Sequence, residues 1–124
     1  MKPLMLALDA SHMTGSVAVT RGSDPLHEIV FDASDTHSAT LMPAVDACLT
    51  AAGTAIKDID LFVTVIGPGS FTGLRIGLAT VKGFAAVSGR PVAAVGSLEL
   101  IAAAESFSGA FIVPLIDARR GEVY

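Results

Sequence analysis

The sequence predicts an α/β domain, a mixed β-sheet with flanking helices in the order βββαβαβα. Three observations predict it. Short segments of alternating apolar and polar residues crowd the first quarter of the chain. Two further apolar strand-like segments, "LFVTVI" and "PVAAV", lie beyond them. Segments of helical period, with recognisable stop signals, stand between and after those strands. A meander followed by strand–helix alternation calls for antiparallel and parallel pairing in one sheet, with helices laid on its faces.

Taken in order, "LMLALDA" (Leu4–Ala10) and "SVAVTR" (Ser16–Arg21) read as strands joined by the turn-forming "SHMTG". "GSDP" marks a second turn, and "LHEIVFDA" alternates as a half-exposed third strand. In "SATLMPAVDACLTAAG", Leu41, Val45, Cys48, Leu49 and Ala52 fall on one helical face, and Gly53 stands where a C-terminal cap belongs. Pro43 either occupies that helix's first turn or interrupts it. "LFVTVIG" follows as a buried strand, then a glycine-rich helix over residues 72–88, with Gly89 as its stop and Pro91 beyond. "PVAAVG" forms a last short strand. "SLELIAAAES" forms a helix with Ser97 as N-cap and Glu99 placed favourably against the helix dipole.

At 124 residues, 52% of them apolar and 16% charged, the chain can bury one modest core and is not composed for disorder. A net charge of −4, with Arg119 and Arg120 the only adjacent basic pair, gives no footprint for a polyanion. The single Cys48 excludes an internal disulfide and reads as a buried helical thiol. No apolar run reaches the roughly 18 residues of a membrane span. The first residues resemble an export signal only superficially, because Asp9 interrupts the apolar run and a strand accounts for it better. A cytoplasmic protein without membrane contact is the expectation. The turn "DASHMTG" near the start is echoed by "DARRG" near the end, with Asp9 and Asp117 in matching positions after apolar runs. The echo predicts a first lobe over residues 1–109 and the beginning of a second, cut short, over residues 110–124.

The stretch "GPGSFTGLRIGLATVKG" (Gly67–Gly83) carries the most information. It fails three phosphate and nucleophile templates. None of its glycines is followed by Gly-Lys at Walker spacing, Gly67, Gly69 and Gly73 are one residue too long for the dinucleotide fingerprint, and Ser70 lacks flanking glycines two residues away on either side. On a helical wheel, Leu74, Leu78, Val81 and Ala85 form a bulky face, expected against the sheet. Gly73, Ile76, Gly77, Thr80, Gly83, Phe84 and Val87 form a face of mainly small residues, and Arg75 and Lys82 share the remaining strip with Ala79 and Ala86. Each interior glycine costs a helix about 1 kcal/mol relative to alanine. Close approach of another helix is the expected compensation. That helix is either the Leu41–Ala52 segment of the same chain or a helix of another subunit.

This stretch closely resembles the signature of the TsaB (YeaZ) family of threonylcarbamoyladenosine biosynthesis proteins, and "LALDAS" and "IDARRGEVY" resemble the same family in the same order. The resemblance spans essentially the whole chain. It implies an actin-like (ASKHA, ribonuclease-H-like) fold of two lobes and a role in making threonylcarbamoyladenosine on tRNA. It implies a non-catalytic subunit that pairs through first-lobe helices with a TsaD-like catalytic paralogue, or with itself as a homodimer when alone. A TsaE-like ATPase would be reached through the complex, and tRNA only indirectly. Carried onto this chain, the matching helix contains Gly73, Arg75, Ile76, Gly77 and Thr80. The expected partner surface comprises Leu41, Val45, Gly73, Ile76, Gly77, Thr80 and Phe84. Family members carry a second lobe that is nearly absent here.

The alternative class is an enzyme: an actin-like ATP-binding lobe or a glycoprotease-like one. The metal-binding catalytic relative implied by the resemblance needs two histidines one helical turn apart. His12, His27 and His37 have no such spacing, and Phe31 stands where "HEIVFD" would need its second zincin histidine. No catalytic residue, cofactor or metal ligand is therefore assigned, and the histidines read as exposed turn or strand residues. Asp9 and Ser11, at the end of the first strand, are the candidates for a degenerate nucleotide site, with Asp9 alternatively a turn-capping residue. A free-standing tRNA-binding module is disfavoured by charge.

Overall fold

The computed structural model describes residues 1–34, 37–105, 109 and 111–124, with only the backbone described at 37 and 38. The His37 side chain and the lobe boundary expected at residue 110 lie outside the described residues. Strands β1 (Leu4–Asp9), β2 (Thr14–Arg21), β3 (Asp24–Asp32), β4 (Leu61–Val65) and β5 (Val92–Val95) form one sheet in the order β3-β2-β1-β4-β5. β1, β2 and β3 pair antiparallel, while β4 runs parallel to β1 and β5 parallel to β4. The helices are α1 (His37–Ala51), α2 (Phe71–Ser88) and α3 (Ser97–Ala104). Every expected element is present in the expected order. A separate antiparallel pair, β6 (Asp117–Arg119) and β7 (Glu122–Val123), closes the chain.

Alternation along the strands decides which face is the core. Leu4, Leu6 and Leu8 of β1, Val17 and Val19 of β2, and Phe62 of β4 are buried on one face. Their register sets Leu6 between Val19 and Phe62, and Leu8 between Val17 and Thr64. Helix α1 lays Leu41, Val45, Cys48 and Leu49 on this face, over β2 and β3, as its periodicity predicts. Pro43 sits in the interior of α1 rather than its first turn, and is exposed. The helix ends on Gly53, at φ +65°, with Thr54 N–H donating to the Leu49 carbonyl. Cys48 is fully buried between α1 and the sheet, its Sγ 3.6 Å from the Val17 carbonyl and 3.5 Å from that of His27. Burial pushes its thiol above the ordinary value.

Helix α2 corrects one expectation. Its buried residues are Gly73, Gly77 and Val81; of the face expected against the sheet only Val81 is buried, Leu74 and Ala85 are half-buried, and Leu78 is 39% exposed. The reason is distance. A Cβ on Gly77 would lie 3.3 Å from Thr64 Oγ1 and 3.6 Å from the Ala10 Cβ, so the α2 backbone rests almost directly on β4 and the end of β1. Bulk at this face would lift the helix off the sheet. Farther along, Phe84 meets Phe62 of β4 with ring centroids 5.6 Å apart. Gly83 differs from its neighbours: it is exposed, and an added Cβ would meet nothing within 4 Å. Gly89, at φ +69°, ends the helix as expected. At α3 the N-cap is Gly96 rather than Ser97; Glu99 explains the shift, because its carboxylate accepts the Gly96 N–H at 3.0 Å.

Two predictions follow from these positions. Gly77→Leu should destabilise the fold by about 3 kcal/mol, because overpacking forces α2 from the sheet, whereas Gly83→Ala should add up to about 1 kcal/mol of helix stability; urea denaturation of both variants checks the contrast. Cys48 should react with a thiol reagent at pH 8 far more slowly in the native than in the urea-unfolded chain. With the folded thiol raised, both states hold the proton below the ordinary thiol range, and stability falls as pH rises above it.

Candidate functional site: a turn-lined cleft and the outer face of α2

The two ends of the chain meet at the N-terminus of α2. After β1, Asp9 folds its carboxylate back so that Oδ1 accepts the Ser11 N–H at 2.9 Å and the Ser11 hydroxyl at 2.6 Å. This is an Asx turn. Ser11 Oγ also lies 2.8 Å from His12 Nδ1, and Ser11 itself is 1% exposed. The loop after β4 then lies on this turn. Ser70 N–H donates to the Ser11 carbonyl at 2.6 Å, and a Cβ on Gly69 would overlap that same carbonyl oxygen. Gly67, at φ +108°, adopts a backbone that other residues disfavour, and its carbonyl accepts the Ser97 N–H at 2.9 Å. Ser70 caps α2, its Oγ accepting the Gly73 N–H at 3.2 Å. The loop glycines therefore serve backbone contact between the β1 turn, the β4 loop and α3.

The β6–β7 hairpin faces this junction. Asp117 Oδ1 accepts the Arg119 N–H at 2.7 Å, the same two-residue turn that Asp9 makes. Asp32 and Ser34 make a third such turn, so the hydrogen bond alone does not establish the internal echo. The chain reverses through Arg119, Arg120 and Gly121, all at positive φ, and Ile116 and Tyr124 exchange backbone hydrogen bonds across the hairpin. Between the hairpin and the α2 N-terminus lies a cleft of about 380 Å³, lined by Ser11, His12, Met13, Gly69–Thr72, Ile116–Arg119 and Tyr124. Ser11, one of the two candidate nucleotide-site residues, lines it. Asp9 does not, and its Oδ1 is engaged by Ser11. His12 is exposed in its turn and His27 is half-buried on β3. Among the described residues no group of three His, Cys, Asp or Glu is placed to hold a metal ion.

The expected partner surface divides. Leu41 and Val45 are 1% and 2% exposed, and Gly73 and Gly77 are buried as well. These four are corrected to core residues: α1 and α2 lie over the same sheet face and turn them inward. Ile76, Thr80 and Phe84 are half-buried at the edge of that core. The residues α2 turns outward are Phe71, Thr72, Arg75, Leu78, Ala79, Lys82, Gly83, Ala86 and Val87, with Val87 92% exposed. Arg75 lies over the exposed Phe71 ring, 5.3 Å from its centroid, and borders a shallow depression with Thr72, Ile76 and Ala79. Helix α1 adds Met42, Pro43, Asp46 and Ala47 to the exposed residues. Helical periodicity finds Arg75, Ala79, Lys82 and Ala86 of this strip; it sets Gly83 and Val87 on the face of Gly73 and Gly77, whereas both are exposed.

Comparison with known proteins places this geometry. The family model described as "TsaD: tRNA N6-adenosine threonylcarbamoyltransferase" matches residues 31–124. The chain is 38% identical over 120 residues to the tRNA threonylcarbamoyladenosine biosynthesis protein TsaB of Bacillus subtilis (strain 168), covering 97% of this chain and 52% of that protein. It is 40% identical over 90 residues to the protein of the same name from Escherichia coli (strain K12), covering 71% of this chain and 39% of the relative. A crystal structure described as an uncharacterized protein with similarity to peptidase YeaZ from Pseudomonas aeruginosa superimposes with a TM-score of 0.83 at 35% identity, covering 98% of this chain and 57% of that one. The mixed sheet with flanking helices is thus the actin-like type of lobe that the sequence predicts. The chain spans about half the length of the curated relatives it matches.

The contact between the β4 loop and the β1 turn can be tested separately. Gly69→Ala should displace Ser70 from the Ser11 carbonyl and destabilise the fold by about 1–3 kcal/mol, with faster amide exchange at Ser70. Unchanged exchange there would show that the contact does not hold the loop.

Proposed function

Because the chain belongs to the family of TsaD, tRNA N6-adenosine threonylcarbamoyltransferase, we propose that it works in the synthesis of threonylcarbamoyladenosine on tRNA, as a docking subunit for a TsaD-type catalytic paralogue and not as the catalyst. The relatives' shared name, tRNA threonylcarbamoyladenosine biosynthesis protein, supports the pathway. The observation that carries the docking role is Gly83. It sits inside an 18-residue helix, is exposed, and has nothing among the described residues within 4 Å of where a Cβ would be. The fold gives no internal reason to accept a glycine there, whereas close approach of a foreign backbone would. The partner surface is then the outward strip of α2, with the half-buried Ile76, Thr80 and Phe84 at its margin, and in the absence of the paralogue the same strip supports a homodimer.

The non-catalytic assignment rests on the engagement of Asp9 by Ser11 and on the lack of a histidine pair at helical spacing in the sequence. A TsaE-like ATPase and tRNA would meet the assembled complex, in line with the net charge of −4. Such a complex would work in the cytoplasm. No helix among the described residues is long and apolar enough to cross a membrane. The Asp117 hairpin would begin the second lobe.

Gly83→Leu tests the reading. It should weaken binding to the transferase encoded by the same genome by tenfold or more in isothermal titration calorimetry, because a central interface side chain is overpacked. Thermal unfolding should stay within a few degrees of wild type, since no neighbour is disturbed. Unaltered affinity would remove the docking surface from α2.

A further inference from the structure

Helix α2 carries two charges and both are cations: Arg75 and Lys82, with no acidic residue anywhere from Phe71 to Ser88. They stand seven residues apart, two turns along one line of the helix, about 10 Å from each other. Both are exposed and border the strip containing Ala79, Gly83 and Ala86. The two ion pairs found among the described residues are Lys2 with Asp24 and Arg90 with Asp60, so among those residues neither α2 cation is matched by a carboxylate. Arg75 is moreover held in place over Phe71. A partner backbone close enough to use Gly83 would strip water from both cations, and a cation stripped of water needs a carboxylate.

Resting on the docking role proposed above, we infer that Arg75 and Lys82 select the partner: the helix that seats on α2 presents two carboxylates spaced to meet them. A second copy of this chain can pair through the same strip but is the poorer match. Helix α1 offers one carboxylate, Asp46, and α2 offers none. A two-fold pair through these helices would therefore set four cations against two carboxylates. The charge pattern favours a different chain over self-pairing, and like charges facing one another are an effective means of rejecting a wrong partner.

The test uses the full chain, the double variant Arg75→Gln with Lys82→Gln, and the transferase encoded by the same genome. Calorimetry at low and high salt reads hetero-pairing, and sedimentation equilibrium reads self-association. The two measurements should move in opposite directions. Removing both cations should weaken hetero-pairing roughly tenfold and flatten its salt dependence, while self-association strengthens. If hetero-pairing is unchanged, or both associations weaken together, the selection role is overturned. Gly83→Leu separates the two levels of the argument. Pairing that responds to Gly83→Leu but ignores the glutamine pair overturns the charge role alone, and a wild-type chain that does not bind the transferase overturns both.

Discussion

The fold depends on how closely the α2 backbone approaches the sheet. With Gly73 and Gly77 buried and a Cβ at 77 only 3.3 Å from Thr64 Oγ1, the helix sits nearer to β4 and β1 than side chains of ordinary size allow. That closeness has consequences at both ends of the helix. At its N-terminus, it brings Ser70 within 2.6 Å of the Ser11 carbonyl and so forms one wall of the cleft. Toward its C-terminus, Phe84 of the helix packs on Phe62 of β4. Each buried glycine costs the helix about 1 kcal/mol in propensity, and tight backbone packing against the sheet is the compensation.

The same helix therefore carries two kinds of glycine. Gly77 lies against the sheet and Gly73 is buried beside it, whereas nothing among the described residues lies against Gly83. Separating them changes what a mutation means. A large residue at 77 breaks the fold before it says anything about partners, while a large residue at 83 leaves the fold alone. The proposed docking surface is therefore the outward strip with its two cations, and the buried face belongs to the fold.

Much of the architecture was legible in the sequence. Strict alternation in β1 and β2, the Leu41–Val45–Cys48–Leu49 stripe, and glycine stops at 53 and 89 each follow from local periodicity and backbone conformation, and the structure bears them out. The orientation of α2 was not legible, since a helical wheel ranks faces by bulk and cannot register a helix that lies close because its face is small. The cleft was half legible. Asp9 and Asp117 could be matched as similar turns, but the seating of the β4 loop on the Asp9 turn rests on a backbone contact between Ser70 and Ser11, 59 positions apart, which no periodicity encodes. The Ser97 cap was misplaced by one residue because Glu99 reaches back to the Gly96 amide.

The most direct test of the outward role of α2 is site-specific photo-crosslinking in the presence of the transferase. A benzophenone side chain at the exposed Ala79 should cross-link to the partner in high yield, and the same group at Val30 on the edge strand β3, 62% exposed, should not. Cross-links from Val30 with none from Ala79 would contradict the account.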